Sequence, residues 1–382
     1  MNVSNEVWIV AYHFHPVWSG PAERFVRYGK YFAGNGYTPI YFTIPRQHQT
    51  EGVYQGFPLR FSGKQECSIY SFVEDMLAQA REKRPKVILV LLADWKNTPS
   101  IQKTVAAGIP ILYINTMIQK KSESSNQLKR LISNHLNLWY YNSFSKIICS
   151  TGSLAQAMNQ FGVSNTKIEV IPNGVNLTRF TSASSQEEIQ RLREELNIPS
   201  GFVALFVGLR LERKGVVELI RGWKLYKENG GIGSLLLVGD EQRENSAFHS
   251  FFQEWDKLMA TVEPKHNIIL QGPSKSIEKY FKASDLFVFL SKKEGMPNVL
   301  TEAMASKLPI LLAPFEGFSS DWGKANEHFF FLSNRSPEAL RSEFERIIPN
   351  EELRQKVAET AFTFVKENHE MSKSIQKYTQ FI

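Results

Sequence analysis

Residues 285–312 constrain the fold of this chain more than any other segment. An apolar run at 285–290 has the composition and length of a buried parallel strand, and a second run at 309–312 has the character of the next strand. Between them, Leu300 and Met304 recur at helical spacing among other apolar residues, which predicts a helix. Two parallel strands joined by a helix indicate an α/β fold.

The start of this predicted helix has the features of an anion-binding site. Gly295 lets the backbone turn, and Pro297 suits the first helical position. The free N–H groups and the dipole of a helix N-terminus attract negative charge. Glu294 stands just before this site, and Glu302 lies about two turns into the helix. The arrangement suits a ligand with phosphates in its middle and hydroxyl-rich sugars at both ends, such as a nucleotide sugar.

The rest of the chain repeats the alternation of apolar strands and amphipathic helices. A helix is expected at about 23–35, and the polar segment 46–64 is expected to be less regular. Both halves predict a parallel sheet covered by helices. The predicted strands lie at 7–11, 39–43, 87–92, 109–114, 146–150 and 168–171 in the N-terminal half, and at 203–207, 234–238, 268–271, 286–290 and 310–312 in the C-terminal half.

The length of the chain, 382 residues, is too great for one ordinary hydrophobic core, so two domains are expected. The boundary between them is expected near 173–200, where polar residues mark a turn and a linker. We predict one domain at 1–175, a second at 176–365, and a C-terminal helix within 366–382.

Three cations lie on the loop that follows the strand predicted at 203–207. Arg210, Arg213 and Lys214 come before Gly215 and the next helix. Because the strand-end loops of a parallel sheet face the ligand crevice, such cations suit a diphosphate whose charge must be stabilised without a metal. We assign Arg213 and Lys214 to the diphosphate and keep Arg210 as the alternative.

Four segments, in the expected order, resemble the signatures of the family-4 retaining glycosyltransferases (glycosyl transferases group 1). They lie at 16–23, 171–176, 205–215 and 291–310. The resemblance implies the GT-B fold, in which two Rossmann-like domains face each other across a cleft. It also implies an N-terminal domain that binds the acceptor, a C-terminal domain that binds the nucleotide sugar, and a last helix that crosses back to the N-terminal domain.

The resemblance implies a hexosyltransferase that retains anomeric configuration and needs neither a metal nor a cofactor, since the nucleotide sugar is a substrate. Glu294 meets the transferred sugar and acts in catalysis with Arg213 and Lys214, while Glu302 accepts hydrogen bonds from the ribose. The mechanism is front-face substitution, in which the diphosphate helps to accept the acceptor's proton. Further donor contacts are expected from Gly20, Arg210, Gly295, Met296, Pro297, Asn298 and Val299.

The acceptor is expected to contact the N-terminal domain. His13 and His15 lie next to the segment 16–23, which contains Gly20, and are candidate acceptor contacts. The resembling family often has a histidine after a strand of this domain, but here Asn115 and Thr116 occupy the comparable stretch, and one of them is expected to supply the polar contact. This departure affects the identity of the transferred sugar.

The positive charge of the chain lies in its N-terminal half. Residues 1–175 hold 18 Lys and Arg against 10 Asp and Glu, whereas the rest holds 27 against 28. A segment rich in apolar residues lies beside the cations Lys120, Lys121, Lys129 and Arg130. A basic amphipathic helix of this kind can lie on an anionic membrane, and the alternative is a solvated charged face over a core-packed helix.

Composition limits the location and the class of partner. Cys67 and Cys149 match no metal spacing and indicate free thiols in a reducing compartment. The first residues lack a signal peptide, and no run of eighteen apolar residues occurs. We therefore expect a cytoplasmic protein, with peripheral association at the inner face of the membrane. No recognised nucleic-acid motif accompanies the basic half, so nucleic acid is not an expected partner.

The sequence thus predicts transfer of a sugar from a UDP-sugar to a lipid-linked or cell-surface glycan precursor. Two alternatives belong to other classes. A sugar-nucleotide 2-epimerase shares the twin-domain architecture and converts its donor without an acceptor, and a non-catalytic binding protein holds the donor without turnover. The paired glutamates favour transfer. The absence of Asp-x-Asp and Gly-x-Gly-x-x-Gly patterns weakens a metal-dependent transferase and a nicotinamide dehydrogenase, respectively.

Overall fold

A computed structural model describes residues 4–12, 20–44, 51–54, 56–62, 67–116 and 127–382, with the backbone alone described at 20–24 and 130. The chain divides into two compact units. The first comprises Met1–Asn173 together with Ser372–Ile382, and the second comprises Gly174–Met371. The acceptor and donor roles assigned to the two halves of the sequence remain predictions.

The first unit is built on one sheet, in which the described residues form eight strands in the order β3-β4-β2-β1-β5-β6-β7-β8. Every neighbouring pair is parallel except β3 and β4, which are antiparallel. The elements are β1 (Glu6–Val10), α1 (Gly20–Gly34), β2 (Thr38–Thr43), β3 (Gly52–Tyr54), β4 (Phe57–Phe61), α2 (Ile69–Lys83), β5 (Val87–Val90), α3 (Thr98–Ala106), β6 (Ile111–Asn115), α4 (Gln127–Ser143), β7 (Lys146–Cys149), α5 (Gly152–Phe161) and β8 (Ile168–Val170).

The strands of this sheet are apolar because the sheet is buried. In β5 and β6 every residue is buried, as expected for parallel strands covered on both faces. The C-terminal segment Ser372–Ile382 belongs to this unit, and the hydroxyl of Tyr378 lies 3.2 Å from that of Tyr28 on α1. The end of the chain is therefore part of the first unit's core.

The second unit has a parallel sheet in the order β11-β10-β9-β12-β13-β14 among the described residues. The strand order changes direction at the neighbours β9 and β12, and ligands of open α/β sheets bind outside the carboxyl ends of strands at such a point. The elements are α6 (Gln186–Glu195), β9 (Val203–Val207), α7 (Val216–Glu228), β10 (Ser234–Val238), α8 (His249–Met259), β11 (Ile268–Gln271), α9 (Ile277–Lys282), β12 (Leu286–Phe289), α10 (Asn298–Ala305), β13 (Ile310–Leu312), β14 (Phe330–Phe331), α11 (Pro337–Ile347) and α12 (Glu351–Asn368).

The predicted α/β architecture of two parallel-sheet domains is confirmed, and the differences from the predicted elements are local. The segment 46–64 contains β3 and β4, which the sequence did not reveal because β3 is short and largely exposed. β14, a strand of two residues, was missed for the same reason of length. The predicted helix at 23–35 begins earlier, at Gly20, because proline at position 21 is tolerated in the first turn of a helix.

The last predicted helix is also shorter than expected. It is α13 (Met371–Gln376), followed by a 3₁₀ turn at Lys377–Phe381.

Candidate active site

The candidate site of the second unit lies on two loops that leave neighbouring strands. One loop follows β9 and the other follows β12, and these two strands pair in parallel. Their carboxyl ends therefore open at the same edge of the sheet, at the point where the strand order reverses. The cations predicted to bind diphosphate lie on the first loop, and the first of the paired glutamates lies on the second.

The loop after β12 leads into α10, which begins at Asn298. Pro297 was predicted to be the first helical residue. It instead precedes the helix as its N-cap, since its ψ of 104° belongs to extended backbone. As the capping residue, proline has no side-chain acceptor for the N–H groups of the first turn. The N–H of Leu300 in that turn donates to the carbonyl of Pro297 at 3.1 Å. The positive end of the α10 dipole is suited to an anion, and an anion site here remains a prediction.

α10 is fixed by its apolar face. Leu300, Ala303 and Met304 are buried in the core of the second unit, and Val299 and Met296 pack against the same core. Glu302 lies on this helix with only 7% of its surface exposed. The burial of Glu302 agrees with a carboxylate placed for a specific contact, although its assignment to ribose remains a prediction.

The loop after β9 packs against the end of β12 because Gly215 lacks a side chain. It contains one turn of 3₁₀ helix at Glu212–Lys214 and ends at Gly215, whose φ is 72°. A Cβ atom on Gly215 would lie 2.5 Å from the carbonyl oxygen of Leu290. Glycine thus supplies both the left-handed backbone and the close approach that brings Arg213 and Lys214 beside the second loop.

Replacing Gly215 with alanine is expected to destabilise the protein by more than backbone strain alone. Strain at a left-handed position costs about 1–3 kcal/mol, and the contact with the backbone of Leu290 adds to it. Gly230→Ala is a matched control, since Gly230 has φ 85° but nothing within 4 Å of the added Cβ. Urea unfolding should rank Gly215→Ala well below Gly230→Ala in free energy of unfolding, and equal values would contradict this packing.

The carboxylate of Glu294 joins the two loops. Its Oε1 accepts hydrogen bonds from Lys214 Nζ at 2.6 Å, Arg213 NH1 at 3.2 Å and Ser291 Oγ at 2.6 Å. The side chains of Glu294 and Lys214 are 14% and 15% exposed, whereas that of Arg213 is 51% exposed. Two cations and one carboxylate therefore converge, with Arg213 at the solvent side.

Burial affects the charge of this cluster. Burial lowers the pKa of Lys214, while the neighbouring carboxylate of Glu294 favours the charged amine and the guanidinium of Arg213 opposes it. An anionic partner therefore favours the charged form of an amine that burial disfavours. In the structure that partner is Glu294, and a phosphate oxygen would serve the same purpose.

Backbone hydrogen bonds hold the Glu294 loop in place. The N–H of Glu294 donates to the carbonyl of Glu316 at 3.0 Å, and the N–H of Glu316 donates to Lys292 at 2.9 Å. The N–H of Lys292 in turn donates to the carbonyl of Arg213 at 2.7 Å. The loops after β9, β12 and β13 are therefore joined by main-chain contacts, and Glu294 and the two cations occupy a fixed frame.

Arg210 lies elsewhere on the same sheet edge. Its guanidinium donates to Glu241 Oε1 and to the carbonyl of Gln271, both at 3.0 Å, and the residue is 8% exposed. Arg210 thus forms a buried ion pair with the loop after β10 and is not part of the Glu294 cluster. The geometry favours Arg213 and Lys214, rather than Arg210, as the cations near the start of α10.

The residues predicted to bind the acceptor have mixed outcomes in the structure. His13 and His15 lie outside the described residues. Gly20, which was predicted to contact the donor from a loop, is instead the first residue of α1. Asn115 is 1% exposed, with Nδ2 3.8 Å from Cys149 Sγ. Burial of this side chain does not favour direct contact with an acceptor. Thr116, directly after β6, is half-buried and remains a candidate.

α4 carries an exposed apolar stripe in the first unit. Leu128, Leu131, Ile132 and Trp139 are 66%, 59%, 52% and 38% exposed at helix-compatible spacing. The opposite face packs inward through Tyr140, and Lys129 is exposed beside the stripe. The cations Lys120 and Lys121 lie outside the described residues, and at Arg130 the backbone alone is described.

Sequence reasoning missed two residues that support the site, Ser291 and Arg335. Ser291 donates to Glu294, and Arg335 donates to the carbonyls of Leu290, Ser291 and Pro314. Ser291 could have been suspected from its place directly after a strand. Arg335 gave no local signal, because its contacts are with backbone groups distant in sequence.

Two features are absent from the described residues. In the ranges that the structure covers, no group of three or more His, Cys, Asp or Glu side chains is arranged to hold a metal ion. None of the helices described has the length and apolar character required to cross a bilayer.

Comparison with protein families places both halves of the chain. Residues 18–179 match the model described as Glycosyltransferase Family 4, and residues 188–364 match the model described as Glycosyl transferases group 1. The second match contains both candidate loops and α10. The two models together cover most of the chain.

Curated relatives are similar at moderate identity. The capsular polysaccharide biosynthesis glycosyltransferase CapM of Staphylococcus aureus is 28% identical over 48% of this chain and 46% of its own length. The UDP-Gal:alpha-D-GlcNAc-diphosphoundecaprenol alpha-1,3-galactosyltransferase of Escherichia coli is 26% identical over 55% of this chain and 53% of its own. The chain spans about half the length of these curated relatives.

Solved structures resemble the whole chain. The HepE protein of Anabaena, solved with UDP, aligns with a TM-score of 0.77 at 16% identity and covers 98% of both chains. The same protein has been solved with UDP-glucose. At this identity the likeness concerns the fold, and it confirms the two Rossmann-like domains predicted from the sequence.

Proposed function

This chain belongs to the family-4 type of glycosyltransferases with the GT-B fold, and we propose that it moves a hexose from a UDP-sugar to a lipid-linked or cell-surface glycan precursor. The proposal includes retention of anomeric configuration and independence from metal ions. The observation that carries it is the convergence of Arg213, Lys214 and Glu294 next to the start of α10.

The two cations supply what a diphosphate leaving group needs. As the bond between the anomeric carbon and the β-phosphate oxygen breaks, negative charge develops on the diphosphate. Lys214, held at the sheet edge, and Arg213, at the solvent side, can stabilise this charge in the absence of a metal. The positive end of the α10 dipole adds positive potential at the same place.

The proposed transfer is a front-face substitution. The acceptor oxygen forms a bond to the anomeric carbon on the face from which the diphosphate departs, and the acceptor's proton passes to the departing diphosphate oxygen. Glu294 contacts the hydroxyls of the transferred sugar and stabilises the positive charge that develops on its ring. The carboxylate does not form a covalent intermediate, so a single step retains the configuration.

Glu294 is also proposed to exchange partners when the donor binds. In the structure its carboxylate accepts hydrogen bonds from Arg213 and Lys214. Arrival of the donor diphosphate replaces this partner and leaves the Glu294 carboxylate available to the sugar. The two cations therefore keep an anionic partner after the exchange, which limits the burial of unpaired positive charge.

The nucleotide and acceptor are proposed from supporting resemblance. Anabaena HepE has been solved with UDP and with UDP-glucose, and the Escherichia coli relative is named for a UDP-galactose donor and an undecaprenol-linked acceptor. Buried Glu302 is the proposed ribose contact, and Thr116 is the proposed acceptor contact in the first unit.

A thermal-shift screen tests the donor class. A ligand bound by the folded state alone stabilises it, by about 2.7 kcal/mol at a hundredfold excess over Kd. UDP and UDP-sugars should raise Tm with EDTA present. Uridine and the other nucleoside diphosphates should each raise Tm less than UDP does. If no nucleoside diphosphate or nucleotide sugar shifts Tm, the proposed donor site is wrong.

We also propose that the protein is cytoplasmic and associates reversibly with an anionic membrane through α4. Leu128, Leu131 and Ile132 are more than half exposed on one helix, which is unusual for a surface facing water alone. The N-terminal half carries the whole charge excess of the chain. Apolar side chains beside cations are suited to an anionic bilayer, where each basic residue contributes about 1 kcal/mol near the surface.

Binding to vesicles that contain anionic lipid should be lost when Leu131 and Ile132 become glutamate. Ile232→Glu is the matched control, since Ile232 is 62% exposed in the second unit. Replacing Lys120, Lys121, Lys129 and Arg130 with glutamine should weaken binding and remove most of its salt dependence. Co-sedimentation at low and high salt measures both. Absence of binding at low salt, or binding unchanged in these variants, would refute the membrane proposal.

A further inference from the structure

We propose that Arg335 is a positioning residue that sets the geometry of the Glu294 loop from beneath the site and adds positive charge to it. The inference rests on the proposed function, because the loop it positions is the proposed donor site. Arg335 lies between β14 and α11, outside every segment that carried the family resemblance.

The contacts of Arg335 join the ends of two strands. Its Nε donates to the carbonyl of Leu290 at 3.0 Å, and its NH2 donates to Ser291 at 2.8 Å and to Pro314. Leu290 and Ser291 follow β12, and Pro314 follows β13. One planar guanidinium thus binds carbonyls from the loop after β12 and the loop after β13. The single ammonium of lysine does not reproduce this arrangement.

Two of these three carbonyls belong to residues that support Arg213, Lys214 and Glu294. Leu290 is the residue against which Gly215 packs, so it supports the loop that carries Arg213 and Lys214. Ser291 donates its hydroxyl both to Glu294 at 2.6 Å and to the carbonyl of Arg213 at 3.2 Å. A shift of the 290–291 segment would therefore move the carboxylate and the cations together.

The charge of Arg335 is held in an unusual position. The hydrogen bonds of its guanidinium that the structure describes go to backbone carbonyls, and the carboxylate of Glu218 is a neighbouring charge that favours its charged form. Burial lowers its pKa, and it stands just before Ser336, the N-cap of α11, where the helix dipole disfavours a cation. A positive charge kept at such a place strengthens the field on an anion bound by the neighbouring loop.

Two substitutions of Arg335 test this inference. Arg335→Gln removes the charge and the fork, while Arg335→Lys keeps the charge alone. We expect Arg335→Gln to lower UDP affinity about tenfold and kcat by at least about tenfold, because three charge-assisted hydrogen bonds to the loop carbonyls are lost and the loop that carries Glu294 shifts. Arg335→Lys should recover most of the UDP affinity but not kcat. Lysine restores the positive charge near the bound diphosphate, but it does not restore the hydrogen bonds that set the geometry of the loop.

The matched control is Arg221→Gln, which removes an arginine of α7 from an ion pair with Glu254 in which both side chains are about half exposed. It should leave kcat and the Kd for UDP unchanged.

If Arg335 is merely structural, Arg335→Gln and Arg335→Lys will both lower Tm and leave kcat and Kd of the folded protein at wild-type values. That result would overturn the inference. If Arg335→Gln does not fold, the split between kcat and Kd in Arg335→Lys decides. Failure of wild-type protein to bind UDP would instead refute the proposed function itself.

Discussion

Glu294→Gln is expected to reduce sugar transfer by about a hundredfold or more, which is the scale for removing one preorganised group that stabilises developing charge. The substitution keeps the size of the side chain and removes the negative charge that would face the sugar ring. In the free protein this carboxylate neutralises Lys214 and Arg213. UDP binding should therefore stay at least as tight as in the wild type, because the variant leaves both cations free for the diphosphate.

Steady-state turnover and calorimetry with UDP separate these two effects. Glu254→Gln, which removes a half-exposed carboxylate paired with Arg221, is the control for loss of one negative charge. Full activity in Glu294→Gln would exclude Glu294 from the catalytic site. Loss of both turnover and UDP binding, with Tm unchanged, would make it a binding residue only.

Replacing both Arg213 and Lys214 with alanine is expected to have the largest effect on donor binding. Each substitution removes a charge-assisted contact worth about 1.5–3 kcal/mol, so UDP affinity should fall by about ten- to a hundredfold per residue. Lys214 should account for more of the loss, because it is 15% exposed whereas Arg213 is 51% exposed and better screened by solvent. Uridine, which has no phosphate, should bind the variant as it binds the wild type.

Arg210→Ala distinguishes the two candidate sets of cations. Arg210 pairs with Glu241 in a buried position. Its replacement should therefore lower Tm without weakening the binding of UDP more than the binding of uridine. Unchanged UDP affinity in the Arg213 and Lys214 double variant, together with a loss in Arg210→Ala, would reverse the assignment.

The sequence predicted the strands around the candidate site because they are buried on both faces. β9, β10 and β12 are continuous apolar runs, and the pattern of such runs needs no knowledge of distant contacts. The helix α10 was predictable for a related reason, since its apolar spacing reflects one packed face. Its first residue was misplaced by one position, because Pro297 is compatible with both the N-cap and the first turn.

The choice between Arg210 and Arg213 could not be made from the sequence. Both lie on one loop, three positions apart, and their types are the same. What separates them is the turn at Glu212–Lys214 and the packing of Gly215 on Leu290, which bring Arg213 beside Glu294 and leave Arg210 on Glu241. Asn115 shows a second limit of the sequence. A polar residue at the end of a strand was predicted to face the acceptor, but its side chain is buried against Cys149.

The most direct test of the account is a transfer assay with a labelled UDP-sugar, EDTA, and an undecaprenyl-diphosphate-linked sugar as acceptor. Transfer predicts that label moves to the lipid phase only when acceptor is present, that UDP is released in equal amount, and that the new linkage has the donor's anomeric configuration. Conversion of the donor to its epimer without acceptor would identify an epimerase. Donor that binds and is recovered unchanged across a broad panel of acceptors would contradict transfer and identify a binding protein.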